Sequence, residues 1–280
     1  MTTPISAVIN TRNEEHNLPY ALRSIRSWVD EIVVVDMHST DRTRDIAKEY
    51  GAEVYLHEPL GFADPARAFA IDQSHHDWVL VLDADELIPS PLSKTLIAAT
   101  TRTDADIFSI PRENFMFGER LVHTGWGAAA DRQLRFFRRG KLSFGSTVHQ
   151  FMHPAPDARI EALPYEPGHA IVHLSYVNVE QFIEKLNRYT SIEAIQARER
   201  GEHVTPPKAL MTAANEFWRR YVVSRGFRDG WRGLYLSLLM ATYRLAVGAK
   251  WHELEENGAA ERVVAKYVQV AERVLTEYER

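Results

Sequence analysis

The segment Trp78-Val79-Leu80-Val81-Leu82-Asp83-Ala84-Asp85-Glu86 sets an apolar run directly against three carboxylates in four positions. Asp83 and Asp85 are two apart, so on an extended backbone they share a face. Side by side they repel unless a cation lies between them. Hard oxygen donors suit Mg2+ or Mn2+, ions that keep several waters and share the phosphate oxygens of a bound nucleotide. Asp83 and Asp85 are therefore candidate metal ligands; the plainer role for the same residues is to solubilise a strand end. The apolar run reads as a strand buried on both faces, as in a parallel sheet. In open α/β sheets, ligands sit at the carboxyl ends of such strands.

The elements ahead of this segment would position it. Ile5-Ser6-Ala7-Val8-Ile9-Asn10 reads as a first strand, followed by the polar turn Thr11-Arg12-Asn13-Glu14-Glu15. Leu18, Leu22, Ile25 and Val29 recur at helical spacing. Ile32 to Asp36 is a second apolar strand ending in a carboxylate, and Ser39-Thr40-Asp41 supplies an N-cap for a helix that Gly51 stops. Val54-Tyr55-Leu56 is a short third strand, and Asp64-Pro65 opens a third helix. Alternating strands and helices predict a parallel sheet covered on both faces. The turn after the first strand holds no glycine, which excludes a dinucleotide fingerprint, a P-loop and the glycine-rich basic loop of a nucleotidyltransferase.

The 280 residues suffice for one large domain, or for a domain with an appendage. A formal charge of −5 argues against a general nucleic-acid binder. The absence of cysteine excludes disulfides, thiolate metal sites and cysteine nucleophiles. Met1-Thr2-Thr3-Pro4 runs straight into a strand-like segment with no signal sequence, which favours the cytoplasm. Apolar stretches fall short of the ~20 residues that span a bilayer.

Three segments, Ile5 to Glu15, Asp30 to Asp41 and Trp78 to Glu86, resemble the nucleotide-sugar half of glycosyltransferase family 2. Asp30 to Thr43 ("DEIVVVDxxSTDRT") and Asp77 to Glu86 ("DWVLxLDADE") are similar to its lipopolysaccharide-core β-glucosyltransferase branch. Ile110-Pro111-Arg112 with Asn114, Leu134 to Gly140, Val148-His149, His173 to Tyr176 and Asn187-Arg188-Tyr189 continue the likeness. The resemblance implies an α/β chain with the GT-A nucleotide-diphospho-sugar transferase fold: a Rossmann-like, mostly parallel sheet with a C-terminal helical appendage. The expected division is a catalytic domain over 1–178, with a nucleotide-sugar half (1–110) and an acceptor half (111–178), then a helical region over 179–280.

The resemblance also implies roles. Thr11, Arg12 and Glu14 would meet the base and ribose of a nucleotide-diphosphate sugar, with UDP-glucose as first choice. A plain helix-starting turn is the alternative for Thr11 and Glu14. Asp36, an acceptor-only carboxylate, would take a hydrogen bond from the base or ribose. Arg67 would reach the base or diphosphate, or else lie on a solvated helix face. Asp83 and Ala84 would lie against the donor, with Asp83, Asp85 and His149 around Mg2+ or Mn2+; His173 competes with His149. Asp131 falls at the family's base position, with Glu113 second, and otherwise serves as a cap or ion-pair partner. Trp126, between Gly125 and Gly127, would stack on a sugar or fill a tight turn. In-line displacement with the base opposite the leaving group would invert an α-linked donor to a β-linked product.

Three positions depart from the family's pattern. Met37-His38 stands where Ser-Gly is usual before Ser-Thr-Asp, Ala68 where Asn often follows the basic helix residue, and Gln150 where Glu often follows Val-His. These bear on donor choice and leave open a degenerate protein that binds nucleotide sugar without turnover. A transferase with a peptide or small-molecule acceptor is the other alternative. From Lys208 to Lys250, arginines alternate with Phe217, Trp218, Tyr221, Phe227 and Trp231. That composition suits either an interfacial membrane contact at the inner face of the cytoplasmic membrane or helices closing a core or dimer interface. A charged last helix, expected from Glu253 onward, suits a solvated tail or a homodimer contact. The acceptor implied is a cell-surface glycan or lipid-linked sugar.

Overall fold

The structure is a computed structural model describing residues 3–59, 64–102, 104–144, 152–258, 260–276 and 278. The chain divides into two compact units, Met1–Val179 and Glu180–Arg280.

In the first unit, β1 (Ile5–Thr11), α1 (Leu18–Ile25), β2 (Glu31–Asp36), α2 (Thr43–Glu49), β3 (Glu53–Leu56), α3 (Asp64–Gln73) and β4 (Trp78–Asp83) alternate as the sequence pattern requires. There follow β5 (Glu86–Leu87), α4 (Ser90–Ala99), β6 (Ile107–Met116), β7 (Glu119–Arg120), β8 (Arg132–Arg138), β9 (Leu142–Ser143), β10 (His153–Pro154), β11 (Ile160–Ala162) and β12 (Ile171–Leu174). The main sheet runs β3-β2-β1-β4-β8-β6-β12-β5. Its first four strands are parallel. β8 lies antiparallel to both β4 and β6, and β12 returns parallel to β6.

Apolar residues on both sides of each central strand explain why the sheet is covered twice. Ala7, Ile9, Leu80 and Leu82 pack with Leu18, Leu22, Leu92 and Leu96. Val8, Val33, Val79 and Val81 pack on the other face with Ala66, Ala70 and Ile71 of α3. Trp78 is fully buried and stacks on Phe136 with ring centroids 4.8 Å apart, tying β4 to β8. α2 ends where Gly51 adopts φ +80°.

The second unit contains α5 (Val179–Glu199), α6 (Pro206–Trp218), a π turn (Arg219–Val223), a 3-10 turn (Gly226–Asp229), α7 (Gly230–Asn257) and α8 (Ala260–Leu275). A Cβ on Gly233 would lie 1.8 Å from the Gly226 carbonyl oxygen, so the 3-10 turn closes on α7 only because residue 233 is glycine. The last helix does not begin at Glu253 as expected. α7 runs through that residue to Asn257 because Trp251 is buried against Ala194 and Ala197, and the break falls at Gly258, with φ +67°.

At the start of β6, Asp106 takes hydrogen bonds from the backbone N, Nε and Nη2 of Arg159. These bonds hold its carboxyl down at about 2. A carboxyl depressed by folding favours the fold above its unfolded value of about 3.9, and that contribution disappears as pH falls from there through the folded value. Asp106→Asn should therefore lower stability at neutral pH and flatten the acid limb of a urea-denaturation series. An acid limb with unchanged slope would contradict this.

Candidate active site

The turns after β1 and β2 are stitched together by the Ser-Thr-Asp-Arg-Thr segment. Ser39 Oγ accepts from Asn13 N at 2.8 Å, Asp41 Oδ2 from Glu15 N at 3.1 Å and Thr43 Oγ1 from Glu14 N at 2.8 Å. Asp41 Oδ1 also accepts from Thr43 N at 3.0 Å, just ahead of α2, whose N-cap is Arg42. Glu14 accepts from Asn17 Nδ2 and, through its carbonyl, from Leu18 N, so it organises the start of α1. Arg12 is exposed. His38 takes φ +56°, the left-handed conformation that the usual glycine adopts freely and histidine only at a cost.

Thr11 and Asp36 are register partners at the carboxyl ends of β1 and β2 and are 2% and 0% exposed. Asp36 Oδ1 accepts from Ser39 N at 2.9 Å. Asp36 Oδ2 and Thr11 Oγ1 are buried without a hydrogen-bond partner among the described residues. Buried polar atoms are normally satisfied, so two unpartnered oxygens on register-paired residues are a departure from the usual pattern, and both can accept from N–H or O–H groups.

At the end of β4, Asp83 Oδ1 accepts from Arg67 Nη2 at 2.6 Å and Oδ2 from Arg135 Nη2 at 2.5 Å. Arg67 is thus turned to a carboxylate and not to solvent. Burial would raise the Asp83 carboxyl, but Arg135 and then Arg67 outweigh it and hold it well below the ordinary carboxylate range. Glu86, fully buried, bonds Arg112 Nη1 at 2.8 Å and the Asp83 backbone N at 3.0 Å, with Arg135 Nη2 at 3.5 Å. Burial opposes the charge on Arg112, yet Glu86 and Asp131 overcome it and hold the guanidinium protonated. Removing one partner from such a buried set costs about 3–5 kcal/mol, because the other charge stays buried.

Asp131 precedes β8, where Pro111 pairs with Arg132. Its Oδ2 accepts from Arg112 Nε at 2.9 Å and Asn114 Nδ2 at 2.6 Å, and its Oδ1 from Gln133 Nε2 at 2.6 Å. A carboxylate offers about four lone-pair positions. Three donors therefore leave one, on Oδ1, for a further hydroxyl. Glu113 is held by Arg120 Nη1 at 2.7 Å and Tyr165 Oη at 2.6 Å.

Trp126 is half-buried in a turn where Gly125 has φ +84° and a Cβ on Gly127 would lie 2.0 Å from the Val122 carbonyl oxygen. Both glycines are thus required by the backbone. Register brings His173 opposite Asn114 on one side and Glu86 on the other. Its Nε2 lies 3.3 Å from Asp85 Oδ2 and its Nδ1 2.6 Å from Asn114 Oδ1.

Among the described residues no three His, Asp or Glu side chains are gathered to hold a metal. His149 lies outside those residues, as does Gln150. The Asp85 carboxylate and the His173 imidazole nevertheless form an oxygen–nitrogen donor pair of the kind Mg2+ or Mn2+ accepts when phosphate oxygens and water complete the shell. Neither the spacing of Asp83 and Asp85 nor any local motif pointed to the buried roles of Glu86, Arg112, Arg135 and Asn114. The signal available was three arginine or acidic residues inside otherwise strand-like runs.

The mostly parallel sheet, covered on both faces, is that of an α/β protein with the GT-A fold. The chain belongs to glycosyl transferase family 2, whose model matches residues 6–157. It is 27% identical over 260 residues to the lipopolysaccharide core biosynthesis glycosyltransferase LpsC of Rhizobium meliloti (strain 1021), covering 89% of this chain and 92% of LpsC. It is also 27% identical over 262 residues to an uncharacterized glycosyltransferase of Rickettsia bellii (strain RML369-C), covering 91% and 88%. Glucosyl-3-phosphoglycerate synthase from Mycobacterium tuberculosis, solved with Mn2+, UDP and glucosyl-3-phosphoglycerate, aligns at 25% identity and TM-score 0.33 over 41% of this chain and 45% of that one. That overlap is too partial to bear on this chain's chemistry.

Proposed function

We propose that this protein is an inverting, metal-dependent hexosyltransferase. It takes a sugar, glucose as first choice, from a UDP-sugar to a hydroxyl of a lipopolysaccharide core or other lipid-linked glycan, making a β-linkage. The observation that carries the donor assignment is the adjacent pair of buried orphan oxygens, Thr11 Oγ1 and Asp36 Oδ2. An acceptor-only carboxylate there suits an imide N–H of a uracil or a ribose hydroxyl. Asp85 and His173 would hold Mg2+ or Mn2+, which neutralises charge on the departing diphosphate. Asp83 and Ala84 lie against the donor, and Asp83 keeps Arg67 and Arg135 turned towards the same strand end. Asp131 receives the proton of the acceptor hydroxyl at Oδ1 as the new bond forms. The family membership and the LpsC relative support the acceptor class.

The second unit supports a membrane-side location. Around the π and 3-10 turns, Trp218, Val223, Phe227, Trp231 and Tyr235 are 49–65% exposed. Residues 216–235 carry five arginines against Asp229 and Glu216, the latter paired with Arg219 and Arg220, in a chain of net charge −5. Exposed aromatics beside arginines suit an anionic lipid interface, although no helix of the described residues is long and apolar enough to cross a membrane. Co-sedimentation should be strong with vesicles containing phosphatidylglycerol and weak with phosphatidylcholine alone, and Arg225→Glu with Arg228→Glu should abolish it. Equal sedimentation with both lipids, or none, would overturn the membrane assignment.

The donor reading is tested by calorimetry of UDP-glucose with and without Mn2+. Binding should require the metal and vanish in Asp85→Ala. Asp131→Asn should keep binding while UDP release in the presence of acceptor falls by about 10²–10⁴-fold. Binding without UDP release in the intact protein would instead identify a degenerate nucleotide-sugar binder, and absence of binding would end the donor assignment.

A further inference from the structure

Asn114 is fully buried on β6, and its orientation is dictated by what surrounds it. The Trp126 carbonyl at 2.8 Å and Asp131 Oδ2 at 2.6 Å are both acceptors, so they must face the amide nitrogen. The amide oxygen therefore faces His173 Nδ1, 2.6 Å away. An amide oxygen accepts only, which requires the proton of the neutral imidazole to sit on Nδ1. The nitrogen left to present a lone pair is Nε2, the one beside Asp85. Without this constraint, a neutral histidine next to a carboxylate would put its proton on Nε2 and donate it to Asp85, which closes the lone pair to any cation.

We propose that Asn114 is the positioning residue of the site. Its amide oxygen fixes the His173 tautomer that leaves Nε2 open towards Asp85, and its amide nitrogen fixes Asp131 at the other end of the same group. The metal-side histidine and the candidate base are thus aligned by one buried side chain that is itself held between β8 and β12 on the central strand β6. The backbone carbonyl of Trp126 completes the clamp, so the turn carrying Trp126 is held by the same amide. This inference rests on the transferase reading for its purpose, but its geometry stands apart from that reading.

The test uses the intact chain labelled with 15N-histidine, the His173 resonance being identified among the 12 histidines by its loss in His173→Gln. With the ring neutral and no metal added, the expected spectrum is the Nδ1–H tautomer. Mn2+ affinity, followed by electron paramagnetic resonance without donor, should fall about 10–100-fold in Asn114→Leu, as loss of an outer-shell partner does elsewhere. The Nε2–H tautomer in the intact protein would overturn the proposal without reference to any variant. So would unchanged Mn2+ affinity in a folded Asn114→Leu protein. If the intact protein shows the Nδ1–H tautomer but binds no UDP-sugar, the transferase reading fails while the tautomer assignment stands.

Discussion

The arrangement on which the candidate site depends is a partly buried chain of alternating charge, with Glu86 and Arg135 at its buried centre: Arg67, Asp83, Arg135, Glu86, Arg112 and Asp131. Each neighbour in that order is within 3.5 Å of the next. Its members come from α3, β4, β8, β5, β6 and the residue preceding β8. Three guanidinium groups meet three carboxylates, so no net charge has to be taken out of water. The pairing is what makes such burial tolerable. The chain also crosses the sheet from the parallel half to the antiparallel strand β8 and beyond. Placing Asp83 at the end of β4 therefore places Asp131 as well.

Asp85 lies beside His173, while Asp83 is held by Arg67 and Arg135. Asp83 and Asp85 have the same spacing that a metal pair needs, but the arginines claim both oxygens of the first. Spacing along one strand reports which residues share a face. It does not report which cations other strands bring to that face.

The fold was legible because its signals are local and periodic. An apolar run ending at Asn10 gave β1, and apolar runs ending in carboxylates gave β2 and β4, each nearly to the residue; both-face burial of Val79 to Leu82 follows from the absence of polar residues there. The departure at His38 was visible, but that its backbone takes a positive φ is shown only by the structure. The function of Ser39, Asp41 and Thr43 was only half legible. The N-cap of α2 falls at Arg42, one residue after Asp41, which accepts from Thr43 N; all three residues also bind the turn after β1, a contact between segments about 26 residues apart. Asn114 and His173 were visible as parts of a resemblance and not as partners, since only the register of β6 with β12 sets them opposite each other. The boundary at Gly258 was missed because charged residues from Glu253 onward looked like a new element, whereas burial of Trp251 carries α7 through them.

The central claim is that Asp85 and His173 present a cation to the diphosphate of a bound nucleotide. Electron spin-echo spectroscopy of Mn2+ bound to the intact chain with UDP tests it most directly. The account predicts phosphorus couplings from the diphosphate together with one imidazole nitrogen coupling that disappears in His173→Gln. Phosphorus couplings without nitrogen, or a nitrogen coupling that survives in His173→Gln, would contradict it.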